Sequence, residues 1–140
     1  MRKICFLLVV CSLLALVGCA AKVPEPPQQA VNYFTAEHLD AKSDAAKTVD
    51  LGKVKLPHGA DKLKSQIDAI SFGKKLAVNL HAKKLYAEHS LASVVRATED
   101  GSWQFTFSVS PENTASNDKS VLYVVLTDNG ELTDAWVIES

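Results

Sequence analysis

The second half of the chain alternates apolar and polar residues with the two-residue period of β-strands. Asp100-Gly101 and Asn129-Gly130 interrupt this alternation. Both dipeptides favour two-residue hairpin turns, because both central positions of a type I′ turn need a positive φ. We therefore predict two β-hairpins. The first turn predicts three cross-strand pairs: Trp103 with Thr98, Phe105 with Arg96, and Phe107 with Val94.

The second hairpin is apolar on both of its faces. Its turn predicts the pairs Tyr123 with Trp136, Val121 with Ile138, and Val125 with Asp134. The opposite face holds Leu122, Val124, Leu126, Ala135 and Val137. A sheet that is packed on one side needs only one apolar face. We expect the main helix to cover one face and the segment near Tyr33, Phe34 and Leu39 to cover at least part of the other. Any uncovered part makes Tyr123, Trp136 and Ile138 the candidate binding face.

The middle of the chain has a helical pattern of apolar residues. The stripe comprises Leu63, Ile67, Ile70, Leu76 and Leu80. Asp61 is a candidate N-cap, and Gly73 either ends the helix or lies within it. Residues 76–95 fit both a helix and a strand, and we favour helix to about Ala87 and strand from about Ser90. Residues 31–46 are irregular, and we expect a short helix there.

These elements predict an α+β fold for residues 31–140, with a helix packed on an antiparallel β-meander of three to four strands. The layout is similar to the cystatin-like or PepSY-type arrangement, in which a sheet wraps a helix. This similarity concerns the order of the elements, and a fold of this kind implies no particular function.

The beginning of the chain has the pattern of an export signal. A basic start, Met1-Arg2-Lys3, precedes an apolar run from Ile4 to Val17. This run has 14 residues, whereas a membrane-spanning helix needs about 20. The run ends in Leu16-Val17-Gly18-Cys19, which closely resembles the lipobox of bacterial lipoprotein signal peptides.

The lipoprotein resemblance implies a cellular location and a lipid anchor. In that family the peptide is cut before the cysteine, so residues 1–18 would be a signal peptide and Cys19 would be acylated on its sulfur and its new amino group. Residues 19–30 hold three of the five prolines and would form an extended, lipidated tether. Three acyl chains would attach the protein permanently to a membrane. Ala20 in place of Asp after the cysteine implies the outer membrane, with the domain facing the periplasm.

Processing changes the composition of the chain. Cys5 and Cys11 would leave with the signal peptide and Cys19 would be lipidated, so no thiol would remain for a disulfide, a thiolate metal site or a nucleophile. The mature net charge would be −3, with Lys plus Arg reduced from 15 to 13 and Asp plus Glu at 16. This balance argues against a nucleic-acid partner, which needs a basic face.

The chemistry-bearing residues give no pattern of catalysis. The four histidines, His38, His58, His81 and His89, lack the spacing of metal ligands. No GxSxG motif or glycine-rich phosphate loop is present. We predict a non-enzymatic protein without a cofactor, a metal site or catalytic residues, and a hydrolase is a third, weaker hypothesis.

Two groups of side chains leave alternatives open. Lys74, Lys75, Lys83 and Lys84 form either a solvated helix face or a contact surface for anionic lipid or an envelope polymer. The aromatic residues form either a packed core or a groove for an apolar or peptide ligand. Arg96 faces Phe105 in the predicted register and would lie at the edge of the core or over a ring.

We therefore expect a lipid-anchored envelope protein that acts as a binding or assembly module with an envelope protein partner. The alternative is a small periplasmic inhibitor or immunity protein against a hydrolase. An inhibitor would need an exposed loop with a reactive side chain, and residues 111–120 form the long polar connection that could supply it.

Overall fold

The structure is a computed structural model that describes residues 30–83, 86, 88–110 and 119–139. The predicted signal peptide, Cys19 and nearly all of the predicted tether lie outside the described residues, as do Lys84, Ala87 and residues 111–118. The elements in chain order are β1 (Asn32–Ala36), β2 (Lys47–Thr48), a 3₁₀ turn (Ala60–Lys62), α1 (Gln66–Ala82), β3 (Glu88–Ala97), β4 (Trp103–Ser110), β5 (Ser120–Leu126) and β6 (Leu132–Ile138).

The six strands form one mixed sheet in the order β1-β3-β4-β5-β6-β2. Strands β3 to β6 make the predicted antiparallel meander, and β1 pairs in parallel with β3. The α+β class is therefore confirmed, but the sheet has six strands, two more than the four of the meander. Both extra strands lie at edges and are only five and two residues long, so neither leaves a clear alternation in the sequence.

The prediction of a short helix in residues 31–46 is wrong, because this segment contains β1. Tyr33 pairs with Val94, and its ring centroid lies 6.4 Å from that of Trp103. The aromatic side chain is partly buried against the core. This burial and the backbone pairing with β3 decide the conformation of a segment whose own pattern is weak.

The main helix begins four residues later than Asp61 predicts. Ser65 is the N-cap, and its hydroxyl oxygen accepts a hydrogen bond of 3.2 Å from the backbone N–H of Asp68. Asp61 lies instead in the 3₁₀ turn. The helix ends at Ala82, before the predicted Ala87, and β3 begins at Glu88, two residues before the predicted Ser90.

The buried face of α1 is rotated relative to the predicted stripe. Leu63, Leu76 and Leu80 are buried as expected, but Ile67 is 80% exposed. The helical residues that are buried are Ala69, Phe72, Gly73, Leu76 and Leu80. At about 100° per residue, Ile67 lies on the side of the helix opposite Leu76, whereas Phe72 lies on the same side as Leu76. The core therefore takes up Phe72 and leaves Ile67 in solvent.

Gly73 lies inside α1, where the helix makes its closest approach to the sheet. A Cβ at this position would lie 2.7 Å from Leu91 Cδ2 and 2.9 Å from Phe105 Cδ1. The neighbouring Phe72 places its ring centroid 5.4 Å from that of Phe105. The glycine thus permits a helix-to-sheet spacing that any side chain would widen.

The second hairpin has the predicted register. Tyr123 pairs with Trp136, Val121 with Ile138, and Val125 with Asp134. The turn itself is one residue longer than predicted: Thr127 N–H donates to Glu131 O at 2.8 Å, and Gly130 has φ 80°. Three-residue loops that end in a left-handed glycine are a common alternative to the two-residue turn, and a bulge at Val125/Leu126 restores the register.

The first hairpin is shifted from the predicted register by two residues near its turn and by three beyond a bulge between Leu91 and Ser93. Trp103 pairs with Arg96, Phe105 with Val94, and Phe107 with Leu91. The Asp100 carboxylate accepts a hydrogen bond of 2.9 Å from Ser102 N–H, and this local bond favours a longer loop closed by Ala97 N–H and Ser102 O. A shift of two residues keeps Val94 and Arg96 on their predicted face, whereas the bulge brings Leu91 onto the face of Phe107.

The two faces of the sheet are covered differently. The helix covers the face of Leu122, Val124 and Leu126, as predicted, and these residues are fully buried. Strands β1 and β2 lie at opposite edges of the sheet. Residues 37–46, which we call the crossing segment, therefore pass across the other face. Gln104 Nε2 donates to Asp40 O at 3.1 Å along this path.

The predicted cover of the second face is therefore correct for Leu39 and wrong for Tyr33 and Phe34. Leu39 lines a cleft with Val125 of that face. Tyr33 lies on the helix side, and Phe34 is 54% exposed.

Within the described residues, no helix is long and apolar enough to span a membrane.

We predict that Gly73→Ala destabilises the protein, although alanine is the better helix former. The added methyl group overpacks Leu91 and Phe105, which costs about 1–3 kcal/mol, while the gain in helix propensity is about 1 kcal/mol. Urea denaturation should show a net loss of about 1 kcal/mol in the free energy of unfolding. Ser71→Ala, at an exposed position of the same helix, is the control and should be neutral or slightly stabilising. A gain in stability for Gly73→Ala would contradict the close approach.

Candidate functional site

The candidate binding face predicted from the sequence lies on the side of the sheet opposite α1. Tyr123 and Trp136 are cross-strand neighbours, and their rings stack with centroids 5.1 Å apart and planes 10° apart. Trp136 is only 4% exposed, whereas Tyr123 and Ile138 are half-buried. A partner on this face can therefore touch Tyr123 and Ile138, and the stacked indole holds the tyrosine ring in place.

Small hydroxyl side chains occupy the middle of the same face. Thr106 pairs with Tyr123, and Ser108 pairs with Val121. Ser93 of β3 lies beside Thr106, and Phe34 of β1 is exposed at the far edge. We call this surface the open sheet face and define it by Phe34, Ser93, Thr106, Ser108, Tyr123 and Ile138. It is a flat surface on which an apolar strip runs beside a strip of hydrogen-bonding groups.

One end of this side of the sheet is closed by the crossing segment. Gln104 is fully buried there, and within the described residues its Oε1 has no hydrogen-bond partner. A cavity of about 370 Å³ lies nearby, lined by Leu39 and Val125 and by acidic residues of the loops. His38 Nδ1 lies 2.6 Å from Glu99 Oε2. This pair ties the crossing segment to the first hairpin.

Acidic side chains dominate this end of the molecule. Asp100 accepts hydrogen bonds from the side chain and the backbone of Ser102, and these bonds lower the pKa of its carboxyl group. Glu37 and Asp128 line the same cavity. Two of these carboxylates have structural contacts, Asp100 within the first hairpin turn and Glu99 with His38 of the segment that crosses the sheet. Together the carboxylates make this end of the sheet, which we call the hairpin end, negatively charged.

A second cleft, of about 560 Å³, is lined by His89, by Val78 and His81 of α1 and by Ser108 of β4. The His89 ring packs edge-on against Tyr86 and His81, with centroids 5.5 and 5.8 Å away. Both ring nitrogens are shielded from solvent, and neither has a hydrogen-bond partner among the described residues. Burial lowers the pKa of His89, and the neighbouring His81 lowers it further.

The described residues contain no group of three or more His, Cys, Asp or Glu side chains that could hold a metal ion. The structure brings together His81 and His89, a pair that sequence spacing did not connect. His38 and His58 lie in separate places, beside Glu99 and beside Lys75 respectively. The His89 imidazole, with its lowered pKa, is the chemically distinctive group of the second cleft.

Other residues singled out from the sequence have clear positions. Trp103, Phe105 and Phe107 are fully buried, so these three form the core and line no groove. The Arg96 guanidinium lies 5.1 Å from the ring centre of Trp103, its cross-strand partner. The prediction that Arg96 faces Phe105 is wrong, because the hairpin register is shifted by two. Lys74, Lys75 and Lys83 are exposed on or just after α1.

No family model, no curated protein and no solved structure matches this chain.

We predict that His89 makes the protein less stable in mild acid. Its pKa in the folded protein is below the ordinary value of about 6.5, so between these two values the unfolded chain binds more protons. The free energy of unfolding should therefore fall as the pH drops below about 6.5. The titratable and charged groups that face His89 are His81, Glu88 and Lys119, which line the cleft, and Tyr86, which packs against its ring.

His89→Phe tests this directly, because phenylalanine keeps the ring contacts and cannot titrate. Urea denaturation at pH 8 and at about pH 5.5 should show a smaller acid-induced loss of stability in the variant than in the parent protein. Equal losses in the two proteins would contradict a lowered pKa at His89.

Proposed function

We propose that this protein is a non-enzymatic, lipid-anchored protein of the bacterial envelope that acts as a binding or assembly module through its open sheet face. The Leu16-Val17-Gly18-Cys19 motif supports the anchor, with acyl chains on Cys19 in the outer membrane and the domain in the periplasm. The observation that carries the binding role is the Tyr123–Trp136 stack on the side of the sheet away from the helix.

The stack has the properties of a contact surface for a protein. Tyrosine buries a large area at low cost in conformational entropy, and it is enriched in protein interfaces. Tyr123 is held by the stacked indole of Trp136 and by ladder pairing on both sides. The ring is thus preorganised, which lowers the entropic cost of binding.

The neighbouring hydroxyls favour a protein partner over a purely apolar ligand. Thr106 and Ser108 lie next to Tyr123 and Val121 in the ladder. A partner that packs an apolar side chain on Tyr123 and Ile138 can direct polar groups to these hydroxyls. An interface with an apolar centre and hydrogen-bonding groups beside it is typical of protein–protein contacts.

The charge of the sheet supports a partner other than nucleic acid. Residues 30–50, 86, 88–110 and 119–139 hold eleven acidic and four basic side chains, a formal net charge of −7 with histidine neutral. Such a surface repels a phosphate backbone. The partner that we propose is another envelope protein.

The alternative function is a small inhibitor or immunity protein that acts on a hydrolase. It would use the connection over residues 111–120, of which residues 111–118 lie outside the described part of the chain. No observation on the described residues favours this alternative over the binding module.

Photo-crosslinking in intact envelopes tests the binding face. A photoreactive residue at Thr106, with the lipidated full-length protein, should give a discrete protein adduct. Tyr123→Ala should reduce the yield at least tenfold, on the order of the loss when a central aromatic contact is removed, with a melting temperature measured to show that the variant folds. The same photoreactive residue at Ser71, on the outer side of α1, is the control and should give no such adduct. Equal adducts at both positions, or none at Thr106, would refute the proposed face.

Fatty-acid labelling in the same cells tests the lipid anchor separately. Cys19→Ser should abolish fatty-acid labelling and leave precursor or soluble protein, and the Thr106 adduct should fall with it. Fatty-acid labelling that persists in Cys19→Ser would refute the anchor and leave the binding face to be judged by the crosslink alone.

A further inference from the structure

The outer side of α1 carries apolar residues where a surface helix is ordinarily polar. Ile67 is 80% exposed and Val78 is 68% exposed, and they are two of the four large apolar side chains that are exposed among the described residues. At about 100° per residue, Ile67, Lys74 and Val78 fall within about 40° of one another, opposite the buried Leu76. One side of the helix is thus buried against the sheet. The opposite side carries a second line of apolar residues, which is exposed to solvent.

The surroundings of Val78 extend this line across the surface. A shallow groove on one side of Val78 is lined by Leu56 and Pro57, and Lys55 and Lys75 line its rim. A groove on the other side is lined by Val31, Ala77 and Lys74. We call this surface the lysine-rich face and define it by Leu56, Pro57, Ile67, Lys74, Lys75 and Val78.

Charge is segregated between the two layers of the molecule. Residues 51–83, which include α1, hold seven lysines and two aspartates, a formal net charge of +5 with histidine neutral. The remaining described residues have a net charge of −7. A basic layer of this kind attracts anionic surfaces.

The chain enters the domain at the lysine-rich face. Val31, the residue before β1, lines the same groove as Lys74 and Val78. Cys19 precedes Val31 by twelve residues, and an extended chain of this length spans at most about 43 Å. On the proposed lipid anchor, on which this step rests, the tether joins the domain beside the lysine-rich face and lets this face reach the bilayer.

We propose that the lysine-rich face docks on an anionic phospholipid bilayer, with Lys74 and Lys75 at the phosphate groups and with Ile67 and Val78 in the interfacial region. Lysines near an anionic membrane surface and apolar side chains at the headgroup boundary are the two contributions that hold helices on membranes. A soluble polyanion would use the lysines and would gain nothing from the isoleucine and the valine. Because α1 and the open sheet face lie on opposite sides of the sheet, docking leaves Tyr123 free for a protein partner.

Vesicle co-sedimentation tests the face without the acyl anchor. The protein comprises residues 19–140 with Cys19→Ser. The vesicles contain phosphatidylethanolamine and phosphatidylglycerol, or phosphatidylcholine alone. The chain should bind the phosphatidylglycerol vesicles and release with salt. Lys74→Ala with Lys75→Ala should weaken partitioning about thirtyfold, since each lysine contributes about fivefold at an anionic surface. Lys42→Ala with Lys47→Ala changes the net charge equally outside this face and should have little effect.

The apolar contribution separates a bilayer from other anionic partners. Ile67→Asn with Val78→Asn keeps the charge and should weaken partitioning at least tenfold, with an unchanged melting temperature because both side chains are exposed. If only the lysine variants lose binding, the face is a site for soluble polyanions and the bilayer proposal is overturned. It is also overturned if both vesicle types bind alike or if the two lysine pairs have equal effects. Failure of lipidation at Cys19 would not alter these results, so the two proposals can fail separately.

Discussion

The contact of α1 with the sheet at Gly73 is the constraint on which the rest of the structure depends. Leu91 and Phe105 lie where a side chain at residue 73 would have to be, and Phe72 packs its ring on that of Phe105. A helix this close to β3 and β4 buries Leu76 and Leu80 completely. It also determines which side of α1 faces solvent, and thus which side carries Ile67 and Val78.

This packing gives the molecule two different surfaces. The helix side is basic and has an exposed apolar line, while the sheet side is acidic at its hairpin end and carries the Tyr123–Trp136 stack in its open part. The crossing segment closes one end of the open side through the bond between Gln104 and the Asp40 carbonyl. On our proposals, one surface meets lipid and the other meets a protein, so the domain would present its binding face away from the membrane that holds it.

The turn and cap residues of the sequence predict some of this structure correctly and give wrong positions for the first hairpin and for the start of α1. The Asn129-Gly130 signal gives the correct register of the second hairpin, because the bulge compensates for the longer turn. The Asp100-Gly101 signal fails by two residues, since the side chain of Asp100 bonds Ser102 and lengthens the loop. Ser65, rather than Asp61, caps α1, and both residues have suitable side chains for the role.

The elements that sequence reasoning missed depend on distant partners. Strand β1 forms because Tyr33 and its neighbours pair with β3, some sixty residues later in the chain. The His81–His89 contact likewise exists only once α1 lies against β3. For the candidate face, the pairing of Tyr123 with Trp136 was predictable, but the burial of Trp136 was not.

Quenching of site-specific labels on the lipidated protein in phosphatidylglycerol-containing vesicles tests the two-sided arrangement most directly. A fluorophore on Val78→Cys and another on Thr106→Cys report the two surfaces, and the acylated Cys19 does not react with the dye. We predict that a water-soluble quencher reaches the label at residue 106 and that a bilayer-embedded quencher reaches the label at residue 78. Equal access of the water-soluble quencher to both labels, or the reverse pattern, would contradict the account.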